Sequence, residues 1–189
     1  MHQIVLFASG SGTNAQNIIE QLHNKRLIVQ RIYCNNRKAG IVERAEKLNI
    51  PICFISKENW SEKNNSDWQI QIREDNPDLL VLAGFLWKIP EHLIQEFPKR
   101  IINLHPSLLP KYGGRGMYGM NVHNAVMENN ELTTGITIHY VNAEYDKGGI
   151  LFQTEIYVAP SKTAEGLADR IHKLEYIHFP KVILQILNS

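Results

Sequence analysis

The segment QIVLFASGSGTN (residues 3–14) is the most informative part of the sequence for the fold class. Its first six residues are almost all apolar, as in a short strand that is buried on both faces of a sheet. The glycine-rich segment 9–14 ends the strand, and the spacing of Ile18, Ile19 and Leu22 then predicts a helix with one apolar side. This order of strand, glycine turn and helix is typical of the first unit of a parallel α/β sheet.

The same alternation continues to about residue 106, where short apolar runs predict strands and longer periodic stretches predict helices. We predict strands at 27–34, 52–55, 79–83 and 100–104, and helices at 39–48 and 60–73. Strands that alternate with helices imply parallel βαβ units with right-handed crossovers.

The pattern changes beyond residue 106. A long loop at 106–117 leads to a predicted helix at 120–128, and strands with alternating apolar residues are predicted at 134–141 and 150–158. Because no long helix separates these two strands, we expect them to form an antiparallel pair added to the sheet. A final amphipathic helix is predicted at 163–187.

The predicted fold class is therefore α/β, an open, Rossmann-like, mostly parallel twisted sheet with helices on both faces and an antiparallel strand pair in the C-terminal half. We expect a single domain over residues 1–189. Residues 1–106 would form a phosphate-binding βαβ half, and residues 107–189 would supply a catalytic loop, the antiparallel strands and a closing helix.

The composition narrows the class of protein. With 20 basic and 19 acidic side chains and a net charge of +1, neither nucleic acid nor a membrane surface is an expected partner. The sequence has no signal-peptide pattern and no apolar stretch of about 18 residues. Cys34 and Cys53 form no CxxC pair. We therefore expect a cytoplasmic protein with reduced thiols. Separately, we expect small-molecule substrates and a monomeric or homodimeric state.

A second motif carries the chemistry. Asn103 and His105 alternate on a predicted strand and so share one face, and Pro106 ends that strand at the sheet edge where α/β proteins bind ligands. Further along the chain, Asp146 precedes two glycines. An amide and an imidazole stabilise an oxyanion, while a carboxylate orients the imidazole and relays a proton. Asn103, His105 and Asp146 are therefore candidate catalytic residues for moving an acyl group onto an amine, although Asp146 before Lys-Gly-Gly is by itself more typical of a turn residue.

The glycine loop is a candidate anion site. Residues 10–15 fit the pattern G-x-G-x-x-A between a strand and a helix, where backbone N–H groups and the helix N-terminus favour a phosphate. An NAD site would need an acidic residue about 20 positions further on, but residues 34–38 read CNNRK, without a carboxylate. Arg37 leaves NADP open, and a glycine turn that binds nothing is the other alternative.

Four motifs together carry a family resemblance that spans residues 4–186. They are SGSGTN (9–14), AGFLWKIP (83–90), INLHPSLLPKYGG (102–114) and EYDKGGILFQ (144–153). With them the chain resembles the phosphoribosylglycinamide formyltransferases of the folate-dependent formyltransferase superfamily. The resemblance implies an enzyme that moves a formyl group from 10-formyltetrahydrofolate to the amine of glycinamide ribonucleotide, a step of purine (IMP) biosynthesis.

The resemblance also implies two groups of binding residues. The site of the phosphorylated amine would consist of Gly10, Ser11, Gly12, Thr13, Asn14, Pro106, Ser107 and Glu175. Gly12, Thr13 and Asn14 would hold its phosphate, and Glu175 its ribose and glycinamide part. The site of the co-substrate 10-formyltetrahydrofolate would consist of Phe85, Leu86, Trp87, Lys88, Ile89, Asn103, Val141, Asn142, Ala143, Glu144 and Asp146. No metal is expected, because the spacing of the chain's histidines matches no familiar set of zinc ligands.

Departures and alternatives accompany this interpretation. Trp87 stands where the family commonly has arginine or lysine, and only His123 matches a family His-x-His motif.

The alternative functions are another folate-dependent formyltransferase, a formyltetrahydrofolate hydrolase that uses the same three catalytic residues, and an NADP- or nucleotide-binding module without transfer chemistry. We interpret Ser107 as hydrogen-bonded to its loop rather than as a nucleophile, and His139 as a hydrogen-bonded strand residue.

Overall fold

The computed structural model describes residues 1–61, 66–159 and 161–189. The described strands are β1 (Gln3–Ala8), β2 (Ile28–Cys34), β3 (Ile52–Phe54), β4 (Leu79–Leu82), β5 (Ile101–His105), β6 (Thr133–Tyr140) and β7 (Ile150–Tyr157). The described helices are α1 (Thr13–Leu22), α2 (Gly40–Lys47), α3 (Asp67–Asp75), α4 (Glu91–Glu96), α5 (Met120–Glu128) and α6 (Ala164–Leu187). None of these described helices combines the length and the apolar character that a membrane crossing requires.

The described strands form one sheet in the order β3-β2-β1-β4-β5-β6-β7. Strands β1 to β5 pair in parallel, whereas β6 pairs antiparallel with both β5 and β7. The predicted α/β class and the antiparallel addition in the C-terminal half are therefore confirmed. The register between β5 and β6 sets Asn103 opposite His139 and His105 opposite Thr137.

Helices cover both faces of this sheet. On one face, Leu6 of β1 belongs to a core with α1, α2 and α6, including the completely buried Phe179. On the other face, Phe7 packs with α3, α4 and a group of aromatic side chains that includes Trp68 and Phe85. Because successive strand residues point to opposite faces, β1 contributes to both cores, which explains its continuous apolar run.

Two helices differ from the sequence-based expectation. The helix predicted at 60–73 begins only at Asp67, and its residues 62–65 lie outside the described chain. Trp60 lies in a turn instead, because its indole N–H donates to the carbonyl oxygen of Lys88 at 2.8 Å and its ring packs in the aromatic core. Helix α4 has no predicted counterpart, since six residues are too few to show a helical period.

The topology opens a crevice between β1 and β4. The chain leaves β1 toward β2 on one side and leaves β4 toward β5 on the other, so the loops after these strands diverge. Ser9 connects the two loops, because its N–H donates to the carbonyl oxygen of Gly84 at 3.0 Å and its Oγ accepts the N–H of Leu86 at 3.0 Å. Open α/β sheets bind ligands at such a switch point.

Candidate active site

A cavity of about 630 Å³ opens at the carboxyl ends of β1, β4 and β5. Its walls are the glycine loop before α1, the segment after β4, the end of β5, the loop before α5, the turn between β6 and β7, and one side of α6. The predicted site residues that line it are Gly10, Ser11, Gly12, Thr13, Asn14, Phe85, Leu86, Trp87, Lys88, Ile89, Asn103, His105, Pro106, Val141, Asn142, Glu144, Asp146 and Glu175.

Two predicted site residues, Ser107 and Ala143, do not line the cavity. Ser107 is completely buried, and its hydroxyl donates to the carbonyl oxygen of Lys111 at 2.7 Å. Its carbonyl oxygen accepts the hydroxyl of Thr137 at 2.6 Å. Ser107 therefore shapes the loop behind the cavity wall, whereas Ala143 is exposed in the turn between β6 and β7.

The three candidate catalytic residues meet at one end of the cavity. Asp146 Oδ2 lies 3.6 Å from His105 Nδ1, and Asp146 Oδ1 lies 3.5 Å from the Asn103 amide nitrogen. The N–H of Gly114 donates to Asp146 Oδ2 at 2.8 Å and fixes the carboxylate. Residues from β5 and from the turn before β7 thus converge, although they are more than forty positions apart in the chain.

The position of the proton on His105 follows from its contacts. Its Nε2 lies 2.7 Å from the carbonyl oxygen of Tyr112. A carbonyl only accepts, so Nε2 carries a hydrogen, and the neutral ring has its free lone pair on Nδ1. Nδ1 faces Asp146, which makes it the nitrogen that gains or loses a proton.

Burial and charge act in opposite directions on this pair. Burial lowers the pKa of His105, and the neighbouring Asp146 carboxylate offsets only part of that effect. Burial also raises the pKa of Asp146, but the two adjacent imidazoles and the Gly114 N–H outweigh it and leave that pKa below its usual value. Asp146 is therefore ionised at neutral pH, while His105 is mostly neutral.

His139 also belongs to this cluster. Its Nδ1 donates to the carbonyl oxygen of Tyr140 at 2.8 Å, so its Nε2 can accept from the Asn103 amide at 3.2 Å. The same Nε2 lies 3.6 Å from Asp146 Oδ1. The sequence predicted a hydrogen-bonded histidine but not this contact with Asn103, which an antiparallel register of β5 and β6 would have suggested.

The glycine loop forms the other end of the cavity. Gly12 precedes α1 with φ of 77°, and a Cβ there would lie 2.5 Å from Ile41 Cδ1, so only glycine fits. The first turn of α1 contains no acidic residue, and its N–H groups lack partners within the helix. Arg44 Nε donates to the carbonyl oxygen of Ser11 at 2.8 Å and holds the loop from outside. These features are those of an anion site.

Glu175 on α6 is connected directly to the glycine loop. The Asn14 amide nitrogen donates to Glu175 Oε2 at 2.7 Å. Burial raises the pKa of Glu175, and the bond from Asn14 offsets part of this effect. The two residues therefore form one polar wall, although 161 positions separate them along the chain.

The segment after β4 and the turn before β7 form a more apolar slot. Phe85 and Ile89 are mostly buried in the aromatic core, whereas Trp87 is half-buried and Leu86 is exposed. Val141 packs against the same aromatic cluster and lines the cavity together with Asn142 and Glu144.

Several lining residues have no counterpart in the sequence-based assignment. These are His123, His139, His172, Tyr145 and the loop from Gly114 to Gly119. Arg37, the candidate contact for a 2′-phosphate, lies over the Phe54 ring at 4.3 Å and is not in the lining. Among the described residues, no group of three His, Cys, Asp or Glu side chains is arranged to hold a metal ion.

Comparison with known proteins gives consistent matches. A family model described as formyl transferase matches residues 2–183. The chloroplastic phosphoribosylglycinamide formyltransferase of Arabidopsis thaliana is 37% identical over 186 residues, which cover 96% of this chain and 64% of the plant protein. The phosphoribosylglycinamide formyltransferase of Bacillus subtilis is 34% identical over 191 residues, which cover 99% of this chain and 95% of that protein.

A solved structure shows the same fold. The phosphoribosylglycinamide formyltransferase of Bacillus halodurans has a TM-score of 0.86 and 30% identity, with 99% of this chain and 96% of that chain covered. The chain spans less than two thirds of the two plant relatives it matches, 64% and 59% of their lengths. Because the family match extends over nearly all of its residues, this chain belongs to the formyl transferase family.

Proposed function

We propose that this protein transfers the formyl group of 10-formyltetrahydrofolate to the amine of glycinamide ribonucleotide, a step of purine biosynthesis. One observation carries the proposal: Asn103, His105 and Asp146 converge in the same cavity as the glycine loop. Relatives named phosphoribosylglycinamide formyltransferase support the choice of acceptor. A single cavity offers one end for a phosphate and one end for acyl transfer.

The two substrates would enter from different sides. The phosphate of the amine substrate would bind the glycine loop, and Asn14 and Glu175 would contact the sugar next to it. The pterin ring of the folate would occupy the slot between Phe85–Ile89 and the turn before β7. The amine and the formyl carbon would then meet beside Asn103 and His105.

The chemistry would proceed through a tetrahedral intermediate. As the amine attacks, negative charge develops on the formyl oxygen, and the Asn103 amide donates a hydrogen bond to it. The contact of this amide with Asp146 is long, 3.5 Å, so a nearby oxyanion would compete for that N–H. Neutral His105 would take the amine's proton on Nδ1. The resulting imidazolium, next to Asp146, would stabilise the oxyanion. It would then give the proton to the departing folate nitrogen.

A deformylation assay tests the proposed function. The protein is incubated with 10-formyltetrahydrofolate, with and without glycinamide ribonucleotide, and the loss of the formyl group is followed. We expect turnover that requires the amine and yields formylated amine in equal amount. Turnover without the amine would indicate a hydrolase, and no deformylation under either condition would contradict both functions.

Substitution of the two oxyanion donors tests the site. Asn103→Ala and His105→Ala should each lower kcat by roughly 10²–10³, because each removes a donor to the developing charge. The exposed residues Asn129 and His2 provide matched controls, and their alanine variants should keep wild-type rates. Near-native kcat in both active-site variants, with folding verified by circular dichroism, would exclude the proposed oxyanion site.

A further inference from the structure

His123 is buried at the cavity wall, and among the residues that the structure describes its Nδ1 has no hydrogen-bond partner. It lies in the first turn of α5, is 2% exposed and lines the cavity. Its Nδ1 forms no hydrogen bond with any of the residues that the structure describes. Buried polar atoms nearly always have a partner, so an unpaired one beside a cavity points to a ligand that supplies it.

The residues near His123 belong to both ends of the site. His172 and His105 are both near enough for their charges to act on it. His105 belongs to the transfer centre, whereas His172 acts on the charge of Glu175, which is bonded to Asn14 of the glycine loop. The glycine loop, His123 and His105 line the same cavity, so a substrate bound to the loop and to His105 shares that cavity with His123.

The charge state of His123 restricts the group that it can bind. Burial, reinforced by the charges of His172 and His105, lowers its pKa to about 4. The ring is therefore neutral at physiological pH, with one nitrogen that donates and one that accepts. A neutral polar group suits this partner, whereas a phosphate would favour a cation.

We propose that His123 recognises the amide of the glycinamide group through Nδ1 and thereby selects the formyl acceptor. This inference rests on the proposed function. With the phosphate at the glycine loop and the amine beside Asn103 and His105, the amide next to the amine is the neutral polar group nearest the transfer centre. An amide offers both an N–H and a carbonyl oxygen, so it pairs with Nδ1 in either tautomer of the ring.

Two substitutions and two ligands test this assignment. His123→Leu removes every polar atom, whereas His123→Asn keeps a polar atom at the distance of Nδ1 from Cβ. The Kd of glycinamide ribonucleotide should rise about tenfold in the leucine variant, as for the loss of one neutral hydrogen bond, and less than threefold in the asparagine variant. The Kd of ribose 5-phosphate, which lacks the amide, should change less than twofold in both, and so should the KM for 10-formyltetrahydrofolate.

Other outcomes would overturn the assignment. An equal loss of affinity for both ligands would place His123 at the sugar or phosphate, and an unchanged Kd in His123→Leu would exclude a contact. If His123→Leu does not fold, His123→Gln replaces it, because glutamine moves the polar atom to the distance of Nε2 and should lose affinity where asparagine does not. The proposed function would also be refuted if the wild-type protein neither binds glycinamide ribonucleotide nor shows amine-dependent turnover. If only the His123 assignment is wrong, wild-type turnover remains intact.

Discussion

Asp146 is the residue that connects the groups of the proposed transfer centre. Its two oxygens lie 3.6 Å from His105 and 3.6 Å from His139, which come from neighbouring strands. Its backbone adopts a left-handed conformation with φ of 54°, which aspartate tolerates better than most residues. The charge of the carboxylate therefore favours the protonated form of His105, and the carboxylate lies within 3.6 Å of both the imidazole and the Asn103 amide.

Removal of the Asp146 charge should change the titration of His105. Burial already lowers the pKa of His105, and Asp146 is the group that opposes this effect most strongly. Asp146→Asn should therefore lower the pKa further, and transfer activity should be lost because the imidazolium that forms during the reaction has no counter-charge. The titration is measured by NMR from the His105 ring proton. Asp78→Asn serves as a control, because Asp78 is an exposed carboxylate that pairs with His2 and not with His105. A pKa of His105 that rises or stays the same in Asp146→Asn would contradict this account.

Among the elements of the fold, the loop between β5 and α5 positions the imidazole of the candidate catalytic residue His105. Tyr112 supplies the carbonyl oxygen that accepts the His105 Nε2–H, and its φ of 55° is unusual for an aromatic residue. Its hydroxyl donates to Glu131 at 2.9 Å, beyond the end of α5. Lys111 pairs with the same carboxylate at 2.9 Å. The loop is thus attached to the α5–β6 connection on the side away from the cavity.

Loss of the Tyr112 hydroxyl should weaken catalysis from a distance. In Tyr112→Phe the loop loses its hydrogen bond to Glu131, and a small displacement of the Tyr112 carbonyl would reorient His105. We expect kcat to fall about three- to tenfold with little change in either KM, since misplacement of a catalytic group acts on the reaction step. Lys111→Met, which removes only an exposed ion pair, should keep kcat within about twofold. Unchanged kcat in Tyr112→Phe would show that the loop holds its position without this bond.

The turn between β6 and β7 is the second positioning element. A Cβ on Gly148 would lie 1.6 Å from the carbonyl oxygen of Tyr140, so glycine lets this turn fold back against β6. Asp146, two residues earlier, is thereby placed over the end of β5 next to Asn103. The close approach is to the protein's own backbone, and its effect on the ligand site is indirect.

At the scale of the whole molecule, the sheet topology gathers distant residues and buries them together. The cavity brings residues 10–14 of the first βα turn next to residue 175 of the last helix. The same packing leaves His105, His123 and His139 almost without contact with solvent. Burial of the uncharged imidazole His123 should make the stability of the fold depend on pH.

The free energy of unfolding should therefore fall in mild acid. His123 has its ordinary pKa of 6.5 when unfolded and a pKa of about 4 when folded. Below pH 6.5 the unfolded chain binds the proton first, so the stabilisation is complete above that pH and is lost as the pH falls toward 4. His123 alone should contribute a loss of about 2 kcal/mol, with allowance for screening in the cavity.

Urea unfolding of the wild type and of His123→Leu at several pH values measures this contribution. The leucine variant should lose less stability in acid than the wild type, because it has no proton to bind at this position. The raised pKa of Glu175 changes the free energy of unfolding in the opposite direction as the pH falls. Because Glu175 is present in both proteins, its contribution cancels in the difference between them. Identical pH profiles would show that His123 is not held neutral by burial.

The N-terminal half of the fold was predictable because its signals are local. The apolar run at Gln3–Ala8, the glycine turn and the spacing of Ile18, Ile19 and Leu22 all appear within neighbouring residues, and β1 and α1 follow them closely. The alternation of Asn103 and His105, stopped by Pro106, likewise predicted a strand that ends at the site. Trp60 was assigned wrongly, because contacts with distant aromatic side chains place it, and no local pattern records them.

Local sequence patterns were enough to identify the available polar groups, the main strands and helices, and the end of the strand that carries the candidate pair Asn103 and His105. Only folding brings His139 to Asn103, brings the Tyr112 carbonyl oxygen to His105 Nε2, and buries the Nδ1 of His123 without a partner among the described residues. The physical reason is that propensity and periodicity act over a few residues. Burial, hydrogen-bond partners and pKa instead depend on groups that only the folded sheet brings within a few ångströms of one another.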